Sequence, residues 1–169
     1  MRNHALGIDN SPVSGTFAQK RIVKKAELSR DVLDEGIIRG IIAALAEDGG
    51  LEMRNLGAGC RNIQLTVIYN DAVEVQGFEK TKRLLVTDKD ITEAALRIYQ
   101  KTANRRIRVR SIHLSLENFS PLSFELDLFD FDDNKKERRL QKALDSIQGR
   151  FGVGAVTRGI VFSSSFVIE

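Results

Sequence analysis

The sequence predicts an α+β domain: a four-stranded, mainly antiparallel sheet backed by two helices in the order β-α-β-β-α-β, with a C-terminal tail helix. Three observations predict it. Residues 61–69 alternate strictly between apolar and polar side chains, which is the period of a half-buried strand. Two segments, 31–56 and 91–103, repeat apolar residues every three or four positions, as a helix lying on a sheet does. Asn70-Asp71 joins the alternating strand to a second β-prone run, so these two strands form a hairpin.

The elements follow in order. Residues 1–16 hold Gly7, Asn10, Ser11, Pro12, Ser14 and Gly15 without an apolar period and read as a linker. Residues 19–28, with Ile22-Val23 among basic residues, form the first strand. Leu33, Ile37, Ile41, Ala44, Leu45 and Leu51 fall near three or four apart in the first helix; Asp31 or Asp34 could cap its start and Gly57 with Gly59 ends it. Gly49-Gly50 should weaken or bend that helix. In the second strand Ile63, Leu65, Val67 and Tyr69 point one way and Asn62, Gln64, Thr66 and Ile68 the other. Residues 73–86 are its partner, and Thr87 or Asp88 caps the second helix, buried through Ile91, Ala94, Ala95, Ile98 and Tyr99. The last strand is expected over 106–116, with a phase slip near Ser111 that a β-bulge would explain. Ser120-Pro121 ends the domain, an acidic segment with apolar residues follows, and a helical period returns over 134–151 until Gly152 and Gly154 stop it. A β-prone apolar stretch, 160–168, completes the chain.

With 169 residues, 42% apolar and 29% charged, the chain can bury a core without disulfide or metal staples. The single cysteine, Cys60, excludes an internal disulfide and a multi-cysteine metal site and fits a reduced, cytoplasmic setting. No apolar run reaches the roughly 20 residues of a membrane helix, so no membrane partner is expected. Net charge is only +3, but its distribution is uneven. Lys20-Arg21, Lys24-Lys25, Lys80-Lys82-Arg83 and Arg105-Arg106-Arg108-Arg110 are basic, whereas Glu125, Asp127, Asp130, Asp132 and Asp133 make one acidic segment. A polyanion on the body and a different partner for the tail would suit that pattern.

Catalytic chemistry is not expected in this chain. His4 lies in the linker, and His113 alternates onto the polar face of the last strand with no cysteine or carboxylate at ligand spacing. Gly49-Gly50 and Gly57-Gly59 do not link a strand to a helix N-terminus, the context a phosphate loop needs. Asp130, Asp132 and Asp133 lack the glycine and terminal glutamate of a calcium loop, which favours a solvated acidic linker.

Binding chemistry is expected instead. On a strand, Arg106, Arg108 and Arg110 emerge on one face roughly 6.5–7 Å apart, close to the phosphate spacing of a nucleic-acid strand. A solvated basic edge strand that resists aggregation is the competing reading. Asn62, Gln64 and Thr66 present a flat, uncharged outward face, with Lys80 and Lys82 alternating on the partner strand. Such a polar-to-basic face suits backbone contacts, which position a duplex without reading its sequence. Phe78 alone could stack a base there, so duplex grip fits better than base stacking.

Arg61-Asn62-Ile63-Gln64-Leu65-Thr66-Val67-Ile68-Tyr69, after Leu56-Gly57-Ala58-Gly59, resembles the second strand of the little finger domain of Y-family (lesion-bypass) DNA polymerases. The run from Arg108 to Leu116, followed by Asn118-Phe119 and Pro121, resembles its last strand. Gly7-Ile8-Asp9 with Pro12-Val13 is similar to the link leaving the thumb domain. The resemblance covers about 17–160. It implies a sheet that docks across primer-template duplex DNA, with phosphate contacts carried to Gln64, Thr66, Lys80, Lys82, Arg106, Arg108 and Arg110. It also implies that the catalytic carboxylates and their magnesium lie in a palm domain with no counterpart here, so the chain is a non-catalytic piece of a translesion polymerase, without a cofactor of its own.

Glu125-Leu126-Asp127-Leu128-Phe129 resembles the pentapeptide by which such polymerases bind the bacterial sliding clamp. Leu128 and Phe129 would fill an apolar pocket, and Glu125 stands where glutamine is usual, losing an amide donor. A strand end packing its Leu and Phe on the domain is the alternative. The tail beyond it is similar to the extension of SOS mutagenesis polymerases, which implies other SOS proteins as partners, without residue roles. The expected organisation is a linker, 1–16; the DNA-binding domain, 17–120; a clamp-binding segment, 121–133; and a tail, 134–169. A stand-alone RNA-binding or ribosome-associated α+β protein, or a small-molecule-binding regulatory domain, would use the same elements.

Overall fold

A computed structural model describes residues 21–103, 105–122, 132–152, 155–156 and 159. The linker, the pentapeptide 125–129 and the apolar stretch 160–168 lie outside these residues. The elements are β1 (Arg21–Val32), α1 (Glu35–Asn55), β2 (Ala58–Tyr69), β3 (Glu74–Leu85), α2 (Asp88–Thr102), β4 (Val109–Pro121) and α3 (Asp132–Phe151). The order is the expected one, and the four strands form one antiparallel sheet arranged β1-β4-β2-β3.

Alternation decides which side of the sheet is covered. Ile22 and Ala26 of β1, Ile63, Leu65, Val67 and Tyr69 of β2, and Ile112, Leu114 and Leu116 of β4 are buried beneath the helices. Ile38, Ile41, Ile42, Leu45 and Met53 of α1 and Ile91, Ala94, Ala95 and Ile98 of α2 complete that core. Each large aliphatic side chain so buried contributes roughly 1.5–3 kcal/mol. Asp34 caps α1, its Oδ1 accepting from the Ile37 amide at 3.0 Å; Thr87 caps α2, its Oγ1 accepting from the Asp90 amide at 3.2 Å.

One expectation needs correction, and two features gain detail. α1 runs continuously through Gly49 and Gly50, and both are buried within it. A Cβ on Gly50 would lie 2.5 Å from Asp88 Oδ1, so the glycine makes room for a side-chain network at the cost of helix propensity. The last strand begins at Val109, leaving Arg106 and Arg108 in the coil before it. The phase slip expected near Ser111 is present: Tyr69 pairs with Val109 while Ile68 pairs with Ser111, so Arg110 is the extra residue of a bulge.

The tail helix also docks differently from what its apolar period suggests. Gln141 is buried and Asp145 partly so, whereas Leu140, Ile147 and Phe151 are exposed. The body offers buried charges there rather than an apolar groove. Arg54 of α1 donates to Asp88 at 2.7 Å and to Asp145 at 2.7 and 2.8 Å, and Gln141 Nε2 donates to Asp88 Oδ2 at 2.8 Å. The Gln141 oxygen accepts from the Asp88 amide at 3.2 Å. Burial opposes the guanidinium's charge, but its bonds to Asp145 and the charge of Asp88 outweigh that, and the pKa of Arg54 rises.

Candidate nucleic-acid interface

The sheet face away from the helices is open, and its register places its side chains in rows. Arg21, Glu117, Asn62 and Lys80 form one row, and Val23, Ser115, Gln64 and Phe78 the next. Lys25, His113, Thr66 and Gln76 follow, and then Glu27, Ser111, Ile68 and Glu74. Each residue here is the outward partner of a core residue one step along its strand.

The face is polar, but it is less basic than expected. Arg21, Lys25 and Lys80 are balanced by Glu27, Glu74 and Glu117, and Arg21 Nε already meets Glu117 at 3.1 Å. Its centre is neutral. Gln64 Nε2 donates to Gln76 Oε1 at 3.1 Å. Thr66, at 7% exposure, is largely covered. Burial and the charge of Lys25 lower the pKa of His113, so the imidazole at the centre stays uncharged at neutral pH.

The cations of interest stand at the two ends. Lys80 and Lys82 are exposed at one end of β3. Arg106, Arg108 and Arg110 are exposed at the other end of the sheet, where the Asn70 amide donates to the Arg108 carbonyl at 3.0 Å. Six strand residues separate the rows nearest these groups, about 20 Å. Among the described residues Lys80, Lys82, Arg106 and Arg108 have no ion-pair partner, and Arg110 meets Asp31 only at 3.7 Å. Arg39, Arg97 and Arg105, by contrast, hold Glu35, Glu79 and Asp71 at 2.7, 2.7 and 2.6 Å. Arg105 also lies over the Tyr69 ring, 5.1 Å from its centroid, and belongs to the hairpin turn rather than to the open cations.

Thus the sites expected from the sequence do not form one arginine row. Gln64 and Thr66 lie mid-face, the lysines at one end and the arginines at the other. Arg21 and Lys25 also reach this face and were missed; continuing the alternation of Val23 through β1 would have found them. Among the described residues no group of His, Cys, Asp and Glu could hold a metal, and no helix is long and apolar enough to cross a membrane.

The domain has relatives both in fold and in sequence. Its sheet and helices superpose on DinB from Sulfolobus solfataricus with a TM-score of 0.51 at 14% identity, over 60% of this chain and 29% of that one, a likeness of fold. DNA polymerase IV of Clostridium acetobutylicum is 28% identical over 94% of this chain and 40% of its own length. The putative UV-damage repair protein UvrX of Bacillus subtilis is 26% identical over 95% of this chain and 39% of its own. Residues 19–128 match the model of the impB/mucB/samB family C-terminal domain. The chain belongs to that family, as the little finger region of a Y-family DNA polymerase, and it spans about 40% of the length of the curated relatives it matches.

Proposed function

We propose that this chain grips primer-template duplex DNA through the open face of its sheet and recruits a bacterial sliding clamp through residues 125–129, serving a polymerase that copies damaged templates. The observation that carries the DNA reading is the set of exposed cations without carboxylate partners, Lys80, Lys82, Arg106 and Arg108, at the two ends of a neutral polar strip. Cations left unpaired are free to exchange their counterions for phosphates. The strip between them, about 20 Å, exceeds the roughly 12 Å width of a major groove, so both flanking backbones come within reach. Neutral Gln64, Asn62 and His113 beneath the groove suit contacts that do not select sequence.

The clamp reading rests on the Leu126-Asp127-Leu128-Phe129 pattern, an apolar pair on an acidic extended peptide. Nucleotide addition itself belongs to carboxylates and magnesium outside this chain. Relatives named DNA polymerase IV and putative UV-damage repair protein support copying of damaged templates as the setting. The SOS response, the cytoplasm and further SOS partners at α3 belong to the same proposal and rest on the resemblance of the tail alone.

Titration with a primer-template duplex at several salt concentrations tests the DNA reading. Four or five neutralised phosphates give a log–log slope of about −4. Salt-independent binding, or none, would remove it. Phe78 specifically favours a second reading, base stacking as in RNA-binding sheets, because its ring is 75% exposed on this face.

A further inference from the structure

We infer that the β3 edge of the open face is a subsite for one unpaired nucleobase and its phosphate, with Phe78 as the stacking platform. This rests on the DNA reading above and adds a second kind of ligand to it, the single-stranded part of a primer-template. Phe78 is the most exposed aromatic ring among the sheet residues described, at 75%, and it serves no packing purpose there: its neighbours on β3, Val75, Gly77 and Glu79, turn to the helices instead. Gly77 lets α2 approach so closely that a Cβ would sit 2.5 Å from Ile98 and 2.6 Å from Thr102. That contact fixes the strand from behind and holds the Phe78 ring outward on rigid backbone.

The surroundings have the chemistry a base requires. Phe78 lines an open depression with Asn62, Gln64, Gln76, Lys80 and Glu117, whose carboxylate is already held by Arg21 at 3.1 Å. Gln64 spends one amide hydrogen on Gln76, which leaves its carbonyl oxygen to accept. Asn62 makes no hydrogen bond through its side chain among the described residues, so a donor and an acceptor stand ready for a base edge. Lys80, across from Asn62 and likewise without an ion-pair partner, is placed for the attached phosphate. A paired duplex cannot supply this ligand, since its base faces are already stacked on one another. An unpaired base can, and any base will do because each has a π face.

The test compares a duplex without overhang with single-stranded deoxy- and ribo-oligonucleotides carrying a 2-aminopurine reporter, against the wild type, Phe78→Ala, Phe78→Leu and Phe78→Tyr. Because the ring is exposed, all variants should keep the wild-type circular dichroism and melting temperature. The wild type should bind the deoxy strand and alter the reporter's fluorescence. Phe78→Ala and Phe78→Leu should lose roughly 5- to 100-fold in single-strand affinity, the range of one stacked base, with duplex affinity changed less than twofold. Phe78→Tyr should retain both. Rescue by leucine, or an equal loss on the duplex, would mean a greasy contact and overturn the subsite while the duplex reading stands. A Phe78-dependent preference for the ribo strand would overturn the assignment to DNA. Failure of the wild type to bind the duplex at all would instead sink the reading on which this one rests.

Discussion

Arg54 holds both carboxylate oxygens of Asp145, Nε to Oδ2 at 2.7 Å and Nη2 to Oδ1 at 2.8 Å, and so fastens α3 to α1 across 91 positions of sequence. The same guanidinium bonds Asp88 and the Val86 carbonyl, with its own side chain 8% exposed. One buried cation thereby joins the end of α1, the start of α2 and the tail helix.

Removing that cation should be costly. Arg54→Ala leaves the Asp88 carboxylate buried beside no positive charge, and about 3 kcal/mol of stability should disappear in urea unfolding. Asp145→Ala should cost less, because Asp145 is more exposed and Asp88 still answers Arg54. Gly50→Ala should behave like the arginine variant, since its methyl would intrude on the same pair. Unchanged unfolding midpoints for all three would refute the network's role.

The thiol of Cys60 should be inert in the folded protein. Burial pushes its pKa up to about 12, from an ordinary value of 9.0. At pH 8 a disulfide reagent should leave it unmodified until denaturant is added. The raised value also has a stability consequence: the folded state holds the proton more tightly, so its advantage is intact below pH 9 and is lost as pH rises toward 12. Cys60→Ala should flatten the alkaline limb of the stability profile over that window.

The two groups of cations should contribute separately to DNA binding. Lys80→Ala with Lys82→Ala, and Arg106→Ala with Arg108→Ala, should each reduce the magnitude of the salt slope by about 2, one unit per lost phosphate contact. Because these side chains are exposed and make no ion pair among the described residues, melting temperatures should hardly move. A variant that keeps the wild-type slope locates the DNA elsewhere.

Clamp recruitment should be separable from DNA binding. Leu128→Ala with Phe129→Ala should abolish retention on an immobilised bacterial sliding clamp and leave duplex affinity unaltered. Glu125→Gln, which restores the amide donor, should strengthen retention. Equal retention of the double variant would exclude the pentapeptide as the contact.

Much of the fold was readable because it depends on local periods. The alternation of β2, the stripe of α2 and the caps at Asp34 and Thr87 are each written within a dozen neighbouring residues. The departures are all long-range. That Gly50 must be small is evident only once Asp88 stands opposite it, and that α3 turns its polar side inward follows from Arg54, far away in the chain. The arginine segment misled for a related reason. Exposure does alternate from Arg106 to Arg110, as a strand's would, yet the hydrogen bonding begins only at Val109, since the hairpin turn at Asn70 takes the Arg108 carbonyl.

The strand order carries a consequence for assembly. β4, the last strand among the described residues, is inserted between β1 and β2, and Arg21 meets Ser115 across 94 positions of chain. Until it arrives β1 has no neighbour and β2 lacks one of its two. The domain therefore has no stable half: a ribosome must release nearly all of it before the sheet can close, and folding should be slow and all-or-none, as topologies rich in distant pairings are.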